Sequence, residues 1–291
     1  MKISRHPDIQ GVVSITSNVA GPRVVMFGGV HGDEVSGVHA IEKLFFDLFG
    51  GKRRLLRGSL TLARGNEAAL TVERRYITHN LNRMFREEYG PEIDKASYEY
   101  ARAQELKTLL ENCDYFLDMH SAPTAQEPFL VVEAGPAEFY AQLGISRLMT
   151  GWSKFSGGTT GGDAENYANS HGAKAATLES GCHFDKSSID VANKTALSFL
   201  SILEMIEPKD QPSRVTVERY DVYEVVTKGF EDFRYAGDVK NFQLFKKGEA
   251  FAFQNGRPMV VAEDAHLLIP MTPADTKIGE EVCYLGRKLP V

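Results

Sequence analysis

A few polar residues at the ends of apolar runs are of the right type and spacing to do chemistry. Val24-Val25-Met26-Phe27 runs into Gly28-Gly29-Val30-His31-Gly32-Asp33-Glu34, which reads as a buried strand that stops at glycines and turns into a helix. A His and a Glu three residues apart at such a turn can reach one metal ion from two directions. Two further apolar runs end in the same manner, Tyr115-Phe116-Leu117-Asp118-Met119 at His120 and Ala175-Ala176-Thr177-Leu178 at Glu179. Two imidazoles and a carboxylate form a catalytic zinc set that leaves one position for water. Zinc lowers the pKa of such a water to about 7 and polarises a carbonyl oxygen. His31, Glu34 and His120 are therefore the candidate ligands, although the same set accepts cobalt, manganese or nickel. Glu179 suits the general base, taking a proton from water and returning it to a leaving amine.

Taken singly, each of these residues has a plainer use. A His-x-x-Glu pair is ordinary loop polarity, His120 suits a hydrogen-bonded core, and Glu179 suits half of a salt bridge. Their joint arrangement at successive strand ends carries the chemistry. Asp118 lies two residues before His120 and points to the same side of its strand, because the side-chain period is two. It either orients a ligand imidazole or makes a strand-end hydrogen bond. His39, on the first helix, faces solvent or core rather than metal. His79, His171 and His183 lie in loops without a matching spacing.

The elements that must position these groups alternate. Residues 8–20 suggest a short strand pair. From Asp33 to Phe49, apolar residues at Val35, Val38, Ile41, Leu44, Phe45 and Leu48 step by three and four, which predicts a helix with one buried stripe. Ser59–Ala63 is a second strand, and Ala96–Asn112 predicts a helix ahead of the strand that reaches His120. Phe129–Val132 reads as a strand, Ala137–Met149 as a helix, and Asp185–Met205 as a closing helix. Strands alternating with helices over short links argue for an α/β fold with a mixed, largely parallel sheet flanked by helices. In such sheets ligands gather beyond the carboxyl ends of the strands, so His31 and His120 should emerge on one edge. After Glu207-Pro208-Lys209-Asp210-Gln211-Pro212, a plausible linker, the pattern changes to short β-type runs broken by Gly and Asp. The runs are Val215–Val217, Val222–Val226, Phe251–Phe253, Met259–Val261, His266–Ile269 and Val282–Leu285. The chain thus divides into a catalytic domain over 1–208 and a smaller all-β domain over 209–291.

Other features exclude function classes. The net charge of −6 gives no reason to expect nucleic acid or an anionic membrane as partner. No stretch approaches the roughly 20 apolar residues that span a bilayer, and the N-terminal residues lack the apolar core of a signal peptide. Cys113, Cys182 and Cys283 have neither zinc-finger spacing nor a disulfide pattern, which fits a reduced, cytoplasmic setting. Gly157-Gly158-Thr159-Thr160-Gly161-Gly162 lacks the spacing of a phosphate loop and suits a lid or rim over a pocket. Glu67–Phe85 is polar and aperiodic, either a solvated basic loop or a binding loop.

His31-Gly32-Asp33-Glu34, Asn66 followed by Arg75-Tyr76 and Asn80-Leu81-Asn82-Arg83-Met84-Phe85, Asp118-Met119-His120-Ser121 and Leu178-Glu179-Ser180-Gly181 stand in one order along the chain. That order resembles the succinylglutamate desuccinylase/aspartoacylase family, within the wider zinc carboxypeptidase-like group. The resemblance implies that His31, Glu34 and His120 bind one zinc per chain and that Glu179 is the general base. It implies that Arg75 helps polarise the scissile carbonyl and stabilise the oxyanion, and that Asn82 and Arg83 hold a substrate carboxylate. It also implies that the C-terminal β domain narrows the pocket entrance. The chain departs from the family at three places. Asn80 replaces the Asp of the usual Asp-Leu-Asn-Arg, Glu67 replaces a proline after Asn66, and Asn169-Ser170-His171 stands where aspartoacylase-like proteins carry an arginine for a second substrate carboxylate. The resemblance therefore carries hydrolysis further than it carries dicarboxylate specificity.

The expectation is a zinc-dependent amidohydrolase cleaving the non-peptide carbon–nitrogen bond of a small N-acyl amino acid. Its partner is that small molecule, with no nucleic acid or membrane, and homo-oligomerisation is left open. A metallocarboxypeptidase acting on short peptides and a non-catalytic binding module are the alternatives.

Overall fold

The computed structural model describes residues 1–123, 126–133, 137–155, 162–208 and 214–290. The chain divides into two compact units, one of residues 1–146 with 161–217 and one of 147–160 with 218–291. Where the sequence pattern points to a single C-terminal stretch, the second unit takes in an earlier one. The strand it supplies pairs parallel, and parallel partners need not adjoin in sequence.

In the first unit, β1 (Lys2–Arg5), β2 (Val12–Thr16), β3 (Arg23–Gly28), β4 (Ser59–Arg64), β5 (Tyr115–Ala122) and β6 (Phe129–Val131) precede α4 (Ala137–Ala141). With β8 (Lys174–Cys182) they form a sheet in the order β1-β2-β4-β3-β5-β8-β6. The central pairings β4/β3, β3/β5 and β5/β8 are parallel, and the flanking ones are antiparallel. The fold is α/β with a mixed sheet, as the alternation of patterns predicts. Helices α1 (Ser36–Phe49) and α6 (Lys186–Ile202) pack together on one face, while α3 (Tyr98–Leu110) and α5 (Ala164–Ser170) share a core with Phe27, Phe116 and Ala175 on the other. The short α2 (Glu67–Thr71) is capped by the Asn66 side chain, which accepts the Ala69 N–H.

Two glycines let α1 start close against the sheet. A Cβ on Gly37 would lie 2.5 Å from the Met119 carbonyl oxygen, and one on Gly28 would lie 2.3 Å from the Gly37 carbonyl carbon. The turn that carries Glu34 is thereby held beside β5. The predicted helix over Ala137–Met149 is instead α4 followed by β7 (Arg147–Thr150), because Gly144 adopts a left-handed φ of 80° that ends the helix. The linker residues 209–212 and positions 157–161 of the glycine loop lie outside the described residues.

In the second unit, β7 pairs parallel with β9 (Glu218–Thr227). The strands β10 (Arg234–Tyr235), β11 (Gln243–Phe245), β12 (Ala250–Gln254), β13 (Arg257–Val260), β14 (Ala265–Leu268) and β15 (Glu281–Lys288) complete it. They form the run β9-β15-β14-β11 and a separate three-stranded sheet, β10-β12-β13, around Phe233, Phe245, Phe251 and Leu267. Val215–Val217 is not a strand; pairing begins at Glu218.

Candidate active site

His31 follows β3 through Gly29, whose φ of 71° is in the left-handed region, and Glu34 closes the turn with its N–H donated to the His31 carbonyl at 3.2 Å. The Glu34 carboxylate then lies between two imidazoles. Its Oε1 is 2.8 Å from His31 Nδ1 and its Oε2 is 2.8 Å from His120 Nδ1. All three side chains are buried, and one ligand atom from each lies within 4.8 Å of the others. The predicted ligands are thus together.

The opposite nitrogens decide whether a cation fits. His31 Nε2 is 2.9 Å from Asn80 Oδ1, and His120 Nε2 is 2.9 Å from Asp118 Oδ2. Asn80 Oδ1 is an acceptor, so it favours the proton on His31 Nε2 and leaves that ring's Nδ1 lone pair facing Glu34, whereas Asp118 Oδ2 stands close to His120 Nε2 without hydrogen-bond alignment. Two imidazole nitrogens and a carboxylate converging in a buried space call for positive charge between them, and the donor set fits a divalent metal. Asp118 stands beside His120 at ion-pair distance, with neither carboxylate oxygen hydrogen-bonded among the described residues.

The electrostatics of Glu34 and His31 agree, while His120 leans toward its charged form. Burial would raise the Glu34 carboxyl, but His31 and His120 outweigh it and hold it well below the usual range. Burial, with the Arg75 charge, lowers His31 and favours its neutral, ligand-competent form. His120 is opposed by burial yet raised well above normal, because Asp118 and Glu34 flank it. Glu34 is further fixed by the Arg75 guanidinium, which donates to Oε1 at 2.9 Å, and by the Ser121 N–H at 3.2 Å from Oε2.

Glu179 is opposite His120 in the parallel β5/β8 register, so both side chains share one sheet face, as do Asp118 and Thr177 one step earlier. Burial, with Glu34 and Asp118 nearby, pushes the Glu179 carboxyl up to about 7, a value suited to a base working near neutrality. The carboxylate clamp expected of Asn82 and Arg83 lies in a 3₁₀ turn, Leu81–Arg83. Asn82 Oδ1 accepts the Ala164 N–H at 3.1 Å at the start of α5, so its amide NH2 is the donor it can offer a ligand. Arg83 Nη1 donates to the Asn82 carbonyl at 2.8 Å.

Asn80, known from the sequence only as a departure from the family motif, and two residues that the sequence does not single out support this arrangement. Asn80 Oδ1 accepts from the Asn82 N–H at 3.0 Å as well as facing His31, and so joins the turn to the ligand. Glu99, fully buried, accepts from Asn66 Nδ2 and from the N–H groups of Ile77, Thr78 and His79 at 2.7–3.3 Å. The signal was present, since Glu99 shares the buried stripe of α3 with Ala103, Leu106 and Leu110. Glu165 is a buried carboxyl in α5 over β8. Of the remaining histidines, His39 is exposed and His171 ends α5 with Nδ1 2.9 Å from the Tyr167 carbonyl. His79 accepts from the Asp94 N–H. His183 Nδ1 is 2.9 Å from Ser121 Oγ, adjoining the site.

The family model described as "Succinylglutamate desuccinylase/Aspartoacylase catalytic domain" matches residues 20–203. The chain belongs to this family. Succinylglutamate desuccinylase/aspartoacylase enzymes are deacylases, and the chain is accordingly a member of a hydrolase family. Succinylglutamate desuccinylase from Pseudoalteromonas atlantica is 28% identical to it, over 93% of this chain and 83% of the relative. The Vibrio cholerae protein of the same description is 26% identical, over 89% of this chain and 78% of its own length. Among solved structures, succinylglutamate desuccinylase from Vibrio cholerae aligns over 99% of this chain and 90% of its own with a TM-score of 0.80 at 22% identity. The ectoine utilization protein EutE from Ruegeria pomeroyi aligns over 94% of this chain and 88% of its own with a TM-score of 0.70 at 21% identity. At these identities the structural likeness shows the fold. Among the described residues, no helix is long and apolar enough to cross a membrane.

Proposed function

We propose that the protein is a zinc-dependent deacylase that hydrolyses the amide bond of a small N-acyl amino acid, releasing a carboxylic acid and a free amine. The observation that carries this reading is the placement of Glu179 beside His120, on the sheet face next to the His31–Glu34–His120 cluster. His31, Glu34 and His120 would hold the zinc, which when bound would supply Lewis acidity toward a carbonyl and make water acidic enough to be deprotonated near neutral pH. Glu179 takes the proton from the attacking water and delivers it to the leaving nitrogen. Arg75, fixed against Glu34, presents its guanidinium to the negative charge that develops on the carbonyl oxygen. Asn82 and Arg83 bind a substrate carboxylate through N–H donors, which sets the distance from the anchored end to the bond that breaks. Asn80 keeps the His31 imidazole in the required tautomer, and Asp118 sets a negative charge beside His120.

Elemental analysis of wild type and His120→Ala, with amine release measured on a panel of N-acyl amino acids, tests the reading. About one zinc per chain is expected in wild type, with loss in the variant. Glu179→Gln should keep the metal and lose activity about 10²- to 10⁴-fold. Absence of metal under metal-replete conditions, or unchanged turnover in Glu179→Gln, would overturn it.

A further inference from the structure

α5 lies across β5 and β8 on the face that carries the catalytic groups. Along β8, Thr177 and Glu179 are half-buried while Ala176, Leu178 and Ser180 between and beyond them are fully buried, so the opening to that face runs along this pair. Thr177 is in register with Asp118 as Glu179 is with His120, giving two successive rungs on one face. Glu165 of α5 packs over β8 with its carboxyl next to Thr177, which places it at the lower rung, about 7 Å along the strand from the base. It is 2% exposed, and its Oε1 has no hydrogen-bond partner among the described residues.

Its surroundings are acidic. Asp163 is nearby but already turned to Asn166, whose N–H and side-chain amide it accepts at 2.8 and 2.7 Å. Burial first, then Asp163, raises the Glu165 carboxyl well above its ordinary range, and Glu133 and Asp118 add to the effect. α5, with the sequence AENYANS, has no lysine or arginine to offset it. A buried carboxyl oxygen without a partner is costly, and the cost falls only when a donor or a cation arrives.

We propose that Glu165 is a specificity residue that receives the cationic end of the substrate's amino-acid side chain, so that the favoured substrates are N-acyl derivatives of short basic amino acids. This inference rests on the deacylase reading and adds the substrate class to it. With the scissile nitrogen at the Glu179 rung, a side chain of about three methylenes brings an ammonium group to the Glu165 rung. A neutral isostere leaves the carboxyl unpartnered, and an acidic side chain adds repulsion, so both are rejected.

The test is binding, separated from turnover. Zinc-loaded Glu179→Gln protein is titrated calorimetrically with Nα-acetylornithine, Nα-acetylnorvaline and Nα-acetylglutamate. Wild type is assayed for hydrolysis of the same three. The ornithine derivative should bind roughly ten- to hundredfold more tightly than norvaline, the range of a hydrogen bond to a charged group. Adding Glu165→Gln should reduce that ratio to about twofold or less, and Glu165→Asp should restore part of it. Metal content and thermal unfolding confirm that each variant is folded. Equal or weaker binding of the ornithine derivative, no binding of any of the three, or a preference that survives Glu165→Gln would overturn the inference. Hydrolysis without a cationic preference removes the inference and leaves the deacylase. A Glu165-dependent preference with no hydrolysis of any acyl amino acid removes the deacylase and leaves the side-chain site.

Discussion

Glu99→Gln changes one atom in a residue that touches neither the ligand cluster nor Glu179, yet it should disturb both stability and catalysis. The Glu99 carboxylate accepts at Oε1 from Asn66 Nδ2 and the Ile77 N–H, and at Oε2 from the N–H groups of Thr78 and His79. A glutamine keeps one accepting oxygen and turns its NH2 toward the other pair, so two donors lose their acceptor in either orientation. At about 1–3 kcal/mol for each stranded donor, and toward the lower figure for these half-exposed loop groups, the loss is about 2–4 kcal/mol. The same bonds fix the segment from Ile77 to His79, which stands between Arg75 and the Asn80–Arg83 turn. A displacement of ångström scale there can lower kcat/KM by about 10²-fold. Metal content should hold at the wild-type value, because the ligands are on the β3 turn and β5 rather than on this loop. Urea denaturation, metal analysis and steady-state kinetics on the variant measure the three effects. Stability within about 0.5 kcal/mol of wild type, with unchanged kcat/KM, would refute the assigned role of Glu99.

The pH dependence of kcat/KM should have an acid limb set by Glu179. The base works as the carboxylate, and its group is raised to about 7 in the protein alone. A bound cation moves it lower, so the midpoint should lie below about 7, with activity falling tenfold per unit once past it. A flat profile from pH 8 to pH 5 would exclude Glu179 as the titrating base. Native-state alkylation with iodoacetamide at pH 8 should label Cys182, which is half-buried, ahead of the other two cysteines. Burial pushes the Cys113 thiol up to about 11 and Cys283 higher still, and peptide mapping showing either labelled first would contradict this. Gly37→Ala should destabilise by about 1–3 kcal/mol, since its Cβ would meet the Met119 carbonyl oxygen at 2.5 Å. A thermal midpoint equal to wild type would show that α1 can retreat from β5 without cost.

The sequence made the strand ends legible because apolar runs that stop at His31, His120 and Glu179 obey a simple alternation. The family motifs extended that reading to Arg75, Asn82 and Arg83. Residues that act from outside the motifs were harder to see. Asn80 was read as a lost charge beside the clamp, whereas its oxygen faces His31 and joins the two parts of the site. Asn169, in the stretch where a second-carboxylate arginine is missing, uses its Oδ1 to accept the Ala175 N–H. Glu165, earlier in the same helix, was passed over because a glutamate beside polar neighbours looks solvated until α5 is laid on β8. The helix predicted over Ala137–Met149 failed at Gly144, where a left-handed backbone outweighs a periodic pattern on both sides. The inclusion of residues 147–160 in the second unit depends on the parallel pairing of β7 with β9, which no local pattern encodes.

The His31–Glu34–His120 cluster joins residues far apart in the chain, with Glu34 standing 86 positions before its partner His120. That separation orders events in time. Before β3 and β5 have paired, the chain offers a cation only the His31–Glu34 turn, and closing a loop of this length is among the later and slower steps of folding. A cation held by these ligands is therefore a late lock rather than a template for assembly. Contacts that form this late fall on the unfolding side of the barrier. Withdrawing a cation held there should shorten the lifetime of the folded molecule and leave the rate at which new molecules fold nearly unchanged.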